Sequence, residues 1–208
     1  MPRGLCFKIF TNMSGLLPQA HIFPDTSQNY DVFAKVVKYL HFPLRSSAGF
    51  SRTLTGHKIN VQKEFTDKHV AYPTWTAAFP PNEDVLGLIT REHSSPVASF
   101  GKVLGNRTTL YKYLNPNTLV VLTGTSPTAG VKSCGVYMMD GAKGSILYHA
   151  IVPASPSGTC DVKATFTENW LVYYYYDGET GSPDQTKSHR IVSVEFYEGA
   201  NVDDKTSR

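Results

Sequence analysis

Residues 136–148, VYMMDGAKGSILY, decide the fold of this 208-residue chain. A hydrophobic stretch leads into a five-residue turn segment, Asp140 to Gly144, and a second hydrophobic stretch follows it. The carboxylate of Asp140 can accept hydrogen bonds from the turn backbone, and Gly144 can adopt a positive φ angle that would strain other residues. The segment therefore predicts a β-hairpin.

A second hairpin is predicted near the end of the chain, where residues 170–176 and 190–197 flank a polar loop. In the return strand Val192, Val194 and Phe196 alternate with polar or amphipathic residues, which is the period of a half-buried strand. Strand–turn units recur about every 30–45 residues, and a hydrophobic strand, a DxxxG turn and a second strand are typical of quinoprotein-like blades. The predicted fold class is all-β, a partial β-propeller.

One short helix is predicted near residues 27–41. Helix-start residues precede it, Pro43 follows it, and its apolar residues recur at helical spacing, which places them on one buried stripe. They are Tyr30, Phe33, Val36, Val37 and Leu40.

Shorter strands are predicted before the hairpin at residues 136–148. The pattern indicates strands at residues 74–79 and 85–90, and a buried strand at residues 119–122. It also favours a hairpin over residues 50–62 that turns at Gly56-His57.

Composition excludes several classes of partner. Hydrophobic residues make up 41% and charged residues 18%, which is typical of a globular chain. The net charge of +3 comes from scattered residues, so no nucleic-acid partner is expected. No apolar stretch approaches the length of a transmembrane helix, and the N-terminus makes a poor signal peptide. Either the chain is cytosolic, or its targeting segment is absent here.

Three cysteines and two possible glycosylation triplets are relevant to the cellular compartment in which the chain resides. Cys6, Cys134 and Cys160 form no CxxC motif, so they are either idle thiols or, in an oxidising compartment, include a Cys134–Cys160 disulfide. The triplets beginning at Asn12 and Asn106 have the N-x-S/T pattern of N-glycosylation acceptors, which occurs often by chance.

No motif predicts catalysis or a cofactor. Residues 124–133 resemble a phosphate-binding loop, but Val131 separates the second glycine from Lys132 and a strand follows instead of a helix. The seven histidines show no metal-site spacing. Residues 170–176 are rich in aromatic side chains on both faces, which favours packing between sheets; a sugar-stacking or protein-binding platform is the alternative.

Several segments resemble one family. Residues 96–105 and 110–117 look like the most recognisable motif in the C-terminal region of subunit 1 of the endoplasmic reticulum membrane protein complex. Residues 136–147, 168–173 and 194–199 resemble its next strands in the right order. The resemblance covers about residues 20–199 and leaves residues 1–19 as an irregular segment and residues 200–208 as a polar tail.

The resemblance implies a function that the residue patterns alone do not. It implies a fragment of a lumenal β-propeller that acts as a non-catalytic scaffold and supports the insertion and folding of transmembrane proteins. The implied partners are the other subunits of the complex, with client membrane proteins served indirectly. It implies an endoplasmic reticulum protein, on the lumenal side of the membrane, and carries over no catalytic residue. A quinoprotein-like propeller enzyme and a carbohydrate-binding propeller are the alternatives.

Overall fold

The computed structural model describes residues 6–10, 17–45, 52–60, 69–91, 96–125, 133–178 and 187–199. The described elements, in chain order, are β1 (Cys6–Phe10), β2 (Gln19–Phe23), α1 (Ser27–Val36), a 3-10 turn (Val37–Tyr39), β3 (His41–Arg45), β4 (Thr53–Asn60), β5 (His69–Ala78), β6 (Glu83–Thr90), β7 (Gly101–Val103), β8 (Thr109–Tyr111), β9 (Thr118–Thr125), β10 (Ser133–Asp140), β11 (Ile146–Pro153), β12 (Lys163–Thr167), β13 (Trp170–Asp177) and β14 (Ser188–Glu195).

These strands form three larger sheets and one small hairpin. The first sheet has the order β1-β2-β5-β4-β3, the second β11-β10-β9-β6, and the third β12-β13-β14. The β7–β8 hairpin lies in the connection between β6 and β9 of the second sheet. All described strand pairs are antiparallel, so none of them is the parallel pair of a helical crossover.

The central strands of the second sheet, β9 and β10, are buried on both faces. In β9, Leu119 and Val121 pack with Leu54 of the first sheet, whereas Val120 packs in the cluster that contains Leu171 of the third sheet. Because alternate residues of a strand point to opposite faces, one strand contributes to two cores. The three sheets therefore stack face to face in chain order, as propeller blades do, and the predicted partial β-propeller is confirmed.

The hairpin predicted at residues 136–148 is confirmed. Strands β10 and β11 pair around it, and Gly144 has a φ of +76°. The Oδ1 atom of Asp140 accepts a hydrogen bond from the amide of Ala142 at 2.8 Å. The turn thus uses both residues in the roles that the sequence predicted.

The predicted helix is confirmed, although it ends earlier than residue 41. Thr26 caps α1 by accepting a hydrogen bond from the amide of Asn29 at 3.3 Å. Its stripe buries Phe33 and Val37 against the first sheet, with 0% and 2% of their surface exposed. The helical stretch gives way to β3, and Pro43 lies inside that strand instead of ending the helix.

The prediction of a hairpin that turns at Gly56-His57 is wrong. Strand β4 runs straight through these residues, and only a register shift against β5 marks them. The glycine serves a close approach instead of a turn, since a Cβ atom at Gly56 would lie 2.0 Å from the indole of Trp75. A glycine inside a strand often has this meaning.

The N-terminal segment also differs from the prediction. Residues 1–19 were expected to be irregular, but Cys6–Phe10 forms β1, which pairs with β2. Its pattern was hard to recognise because a strand this short derives its order from its partner. The triplet at Asn12, the loop at residues 126–132 and the tail at residues 200–208 lie outside the described residues, and the proposed division of the chain into segments stays a prediction.

The aromatic strand β13 packs on one face only. Tyr173 is buried between the second and third sheets, and Tyr175 packs beside it. On the other face Trp170 and Tyr174 are 39% and 37% exposed. The expectation of packing between sheets therefore holds for the inner face of β13, while its outer face is open.

We predict that Phe33→Asp abolishes folding or lowers the free energy of unfolding by several kcal/mol, roughly 4, because it buries an unpaired charge. Ala34→Asp, at an exposed position of the same helix, is the matched control and should change stability little. Urea unfolding followed by circular dichroism measures both. A Phe33→Asp protein as stable as the control would contradict the packing of α1.

Candidate functional site

The segment that carries the strongest resemblance, residues 110–117, lies between the second and third sheets. Its backbone pairs with the chain that follows β14: the amide of Tyr113 donates to the carbonyl of Phe196 at 3.0 Å, and the amide of Glu198 donates to the carbonyl of Tyr111 at 2.8 Å. Tyr113 itself belongs to the core between the two sheets. The segment is therefore a structural junction.

A largely buried ion pair strengthens this junction. The ammonium of Lys112 lies 2.7 Å from a carboxylate oxygen of Glu168, and their side chains are only 14% and 20% exposed. The hydrogen bond from Lys112 holds the pKa of the Glu168 carboxyl below its ordinary value, against the opposing effect of burial. Glu168 precedes β13, so the pair ties the third sheet to the connection that enters β9.

Asn115 joins the two turns of the second sheet. Its Nδ2 atom donates to Asp140 Oδ2 at 3.0 Å, and its Oδ1 atom accepts from the amide of Asn117 at 3.0 Å. Asn115 and Asp140 are each 1% exposed, so these bonds satisfy groups that water does not reach. The carboxylate of Asp140 thus stabilises the β10–β11 turn through Oδ1 and the turn before β9 through Oδ2, which accepts from Asn115.

Trp75 connects the same turn to the first sheet. Its indole nitrogen donates to the carbonyl of Gly141 at 2.9 Å. A Cβ atom at Gly144 would lie 2.6 Å from the indole ring, so glycine is needed there for space as well as for its positive φ. The β10–β11 turn is therefore in contact with the first sheet through Trp75 and with the 110–117 segment through Asp140.

A disulfide joins Cys134 of β10 to Cys160, which precedes β12. It connects the second sheet to the third. Gly124 lies opposite Cys134 in the strand pairing, and a Cβ atom there would lie 2.9 Å from the sulfur of Cys160. The first glycine of the phosphate-loop-like sequence thus makes room for the disulfide.

The β7–β8 hairpin presents apolar side chains to solvent. Phe100 is 70% exposed, Val103 71%, Leu104 39% and Tyr111 59%. We call these four residues the hairpin patch. Lys102 and Arg107 are exposed in the same hairpin, and residues 96–117 contain no acidic residue, so the patch is apolar with a basic edge. Apolar groups concentrated in this way are typical of contact surfaces.

The described residues offer little that resembles an active site. Among them, no three His, Cys, Asp or Glu side chains lie close enough to hold a metal ion. The buried carboxylate of Glu83 accepts hydrogen bonds from Thr123 and Tyr137 at 2.6 and 2.9 Å. Burial, followed by that hydrogen bond, raises the pKa of Tyr137, which makes its phenol a poorer acid.

One cavity of about 260 Å³ lies at the junction, which is below the size usual for small-molecule sites. It is lined by Tyr113, Leu147, Phe196, Tyr197, Glu198 and Gly199.

The sequence indicated that residues 96–117 are distinctive, but it did not indicate which hydrogen bonds they form. Asn106 lies exposed at the tip of the β7–β8 hairpin, and Cys134 and Cys160 are bonded. The roles of Asn115, Glu168 and Trp75 were missed. Their partners are 25, 56 and 66 residues away in the chain, so no local spacing could reveal them.

Comparison with known proteins identifies the same fold and segment. Residues 7–208 match the family described as "ER membrane protein complex subunit 1, second beta-propeller". The chain belongs to this family. The match includes most of residues 1–19, which the resemblance seen in the sequence did not cover.

Three named relatives share the same description. ER membrane protein complex subunit 1 of Xenopus laevis is 30% identical over 156 residues, which cover 74% of this chain. The protein of the same name from Schizosaccharomyces pombe is 36% identical over 134 residues, or 63% of the chain. That from Gallus gallus is 33% identical over 128 residues, or 61%.

The aligned part is a small share of each relative. The chain spans about 14% of the length of the Xenopus laevis and Schizosaccharomyces pombe proteins and 12% of the Gallus gallus protein. Within the described residues, none of the helical structure has the length and apolar character that crossing a membrane requires.

The Lys112–Glu168 pair predicts a specific dependence of stability on pH. Because the folded-state pKa of Glu168 lies below its ordinary value of 4.5, the pair stabilises the fold above that pH and loses its contribution as the pH falls through the folded-state pKa. Lys112→Met should therefore reduce the difference in unfolding free energy between pH 7 and pH 3, as measured by urea unfolding.

The exposed pair Lys163–Asp161 provides the control for this measurement. Its side chains are 68% and 60% exposed, so Lys163→Met should leave the pH dependence close to that of the unsubstituted protein. Equal pH dependence in all three proteins would show that the Lys112 pair contributes nothing.

We also propose that the Cys134–Cys160 disulfide forms in the native protein. Removing it by the double substitution Cys134→Ala and Cys160→Ala should lower the unfolding free energy by about 3 kcal/mol, because the bond closes a loop with a sequence separation of 26. Cys6→Ala is the control and should have no such effect. Peptide mapping under non-reducing conditions that finds both thiols free would contradict the proposal.

Proposed function

We propose that this chain is a non-catalytic scaffold and interaction segment of the endoplasmic reticulum membrane protein complex, placed on the lumenal side of the membrane. In that role it supports the insertion and folding of transmembrane proteins indirectly, by holding other subunits in position. The names of its relatives support membership of the complex. Insertion and folding of clients come from the family resemblance described above.

One observation carries the proposal: within residues 96–117, Lys112 and Asn115 are used inside the fold, whereas several large apolar side chains are exposed. Lys112 and Asn115 hold sheets and turns together, whereas Phe100 and Tyr111 remain exposed. An enzyme needs the opposite arrangement, with polar groups converging on a cavity that admits a substrate. A rigid body with an exposed apolar hairpin fits a scaffold.

The hairpin patch also indicates the kind of surface that it contacts. Lys102 and Arg107 are exposed beside the apolar residues, and residues 96–117 contain no acidic side chain to balance them. A complementary partner surface is therefore apolar at its centre and acidic at its edge. We propose that this partner is the lumenal part of another subunit of the complex.

A carbohydrate-binding propeller is the second candidate, and the outer face of β13 is the observation that favours it. Trp170 and Tyr174 are both partly exposed there, as a sugar-stacking platform requires. However, Tyr174 pairs directly with Ile191, which is 77% exposed. An exposed aliphatic side chain beside the aromatic ring suits a protein contact better than a polar sugar.

Co-purification tests the proposal. The gene product that carries this chain is tagged in its own cells, extracted in mild detergent and examined for other subunits of the complex. The double substitution Phe100→Ser and Tyr111→Ser should reduce the recovery of at least one subunit by about fivefold or more, since truncating an aromatic anchor typically costs more than 1 kcal/mol.

Ile151→Ser is the matched control, because Ile151 is 63% exposed on β11, outside the hairpin patch. It should leave recovery unchanged. Equal recovery in the control and the double variant would remove the hairpin patch as a contact. If the unsubstituted protein recovers none of the other subunits, the scaffold function itself is wrong.

A further inference from the structure

The triplet that begins at Asn106 lies at the tip of the β7–β8 hairpin. The amide of Arg107 donates to the carbonyl of Leu104 at 2.9 Å, and the amide of Leu104 donates to the carbonyl of Thr108 at 2.8 Å. Arg107 has a φ of 67°, which closes the turn. Gly105 and Asn106 are thus at the centre of the turn, Arg107 completes it, and Thr108 follows it, opposite Leu104.

The side chains of the triplet are already in contact. Oδ1 of Asn106 accepts hydrogen bonds from the hydroxyl of Thr108 at 2.6 Å and from its amide at 3.0 Å. These two bonds engage the carboxamide through its oxygen and fix its orientation. They leave Nδ2, the atom to which a sugar is attached in N-glycosylation, outside this pair of bonds.

The tip has space for a large substituent. Residues 102–109 are all exposed, and a Cβ atom placed on the neighbouring Gly105 would meet no atom within 4 Å. A bulky group on Asn106 would extend into solvent without displacing the hairpin or the sheets. A sequence triplet alone does not provide this condition, because such triplets also occur in buried segments.

We propose that Asn106 carries an N-linked glycan, a proposal that rests on the lumenal location proposed above. The bond forms between Asn106 Nδ2 and the anomeric carbon of a sugar that is activated as a glycosyl diphosphate. The bond from that carbon to the diphosphate oxygen breaks, the diphosphate leaves with the electron pair, and Nδ2 loses one proton. No oxidation or reduction occurs, and the donor and its transferase belong to the compartment.

A glycan at the tip also restricts the proposed subunit contact. A hydrated sugar chain on Asn106 would keep the tip out of a dry interface, so the contact would involve the base of the hairpin. Phe100 and Tyr111 lie at that base, where the amide of Lys112 bonds to the carbonyl of Phe100 at 3.0 Å. The tip of the hairpin would thus remain in solvent, while its base contacts the partner subunit.

The test uses the tagged gene product expressed in eukaryotic cells. Treatment with a peptide N-glycosidase should increase gel mobility and convert Asn106 to aspartate, which mass spectrometry detects in the corresponding peptide. Without glycosidase treatment, Asn106→Gln and Thr108→Ala should each increase gel mobility by the amount that corresponds to the loss of one glycan. Thr108→Ser keeps the acceptor triplet and should retain the glycan at least in part.

A new glycosylation triplet, introduced by substitution, tests the lumenal location independently of the glycan proposed at Asn106. Ser157→Asn completes an N-x-T triplet with Thr159 in the exposed turn after β11. If this variant gains a glycan while Asn106 is unmodified, the chain is lumenal and the Asn106 proposal is overturned. If neither position is modified, the lumenal location fails and the Asn106 proposal fails with it.

Discussion

Burial of β9 and β10, the central strands of the second sheet, on both faces is the constraint on which the rest of the structure depends. Strands β9 and β10 are buried along almost their whole length and have apolar residues on both faces, so neither face of this pair of strands can remain in water. Each fully buried aliphatic side chain contributes roughly 1.5–3 kcal/mol. The first and third sheets provide the two covering surfaces. The links through Trp75, Lys112 and Cys134 then fix how these surfaces are aligned.

Features of the fold that arise locally could be predicted from the sequence. The DxxxG turn and the helix stripe depend on residues a few positions apart, and both were identified. The strand through Gly56 was read as a hairpin because a glycine followed by a polar residue is a common turn signal. Its actual cause, the indole of Trp75, lies 19 positions away and belongs to another strand. Strand β1 was missed for a similar reason, since its order comes from pairing with β2.

The sequence could locate the candidate site, but it could not reveal the contacts that build it. Residues 110–117 were recognised by resemblance, yet nothing in them shows that Lys112 and Asn115 face inward. Their partners, Glu168 and Asp140, are brought close only when the turns of different strands meet. The exposed triplet at Asn106 was visible as a pattern, whereas its position at a hairpin tip required the strand pairing on either side of it.

The backbone bonds around Tyr113 have a consequence for binding. The chain leaving β8 is bonded to Phe100 on one side and to the segment after β14 on the other, through the carbonyls of Phe196 and Tyr111. These bonds hold the base of the hairpin from two sides, while its tip extends into solvent. A partner that binds at the base therefore meets a surface whose backbone is already fixed to the third sheet, and little backbone ordering remains to be done on binding.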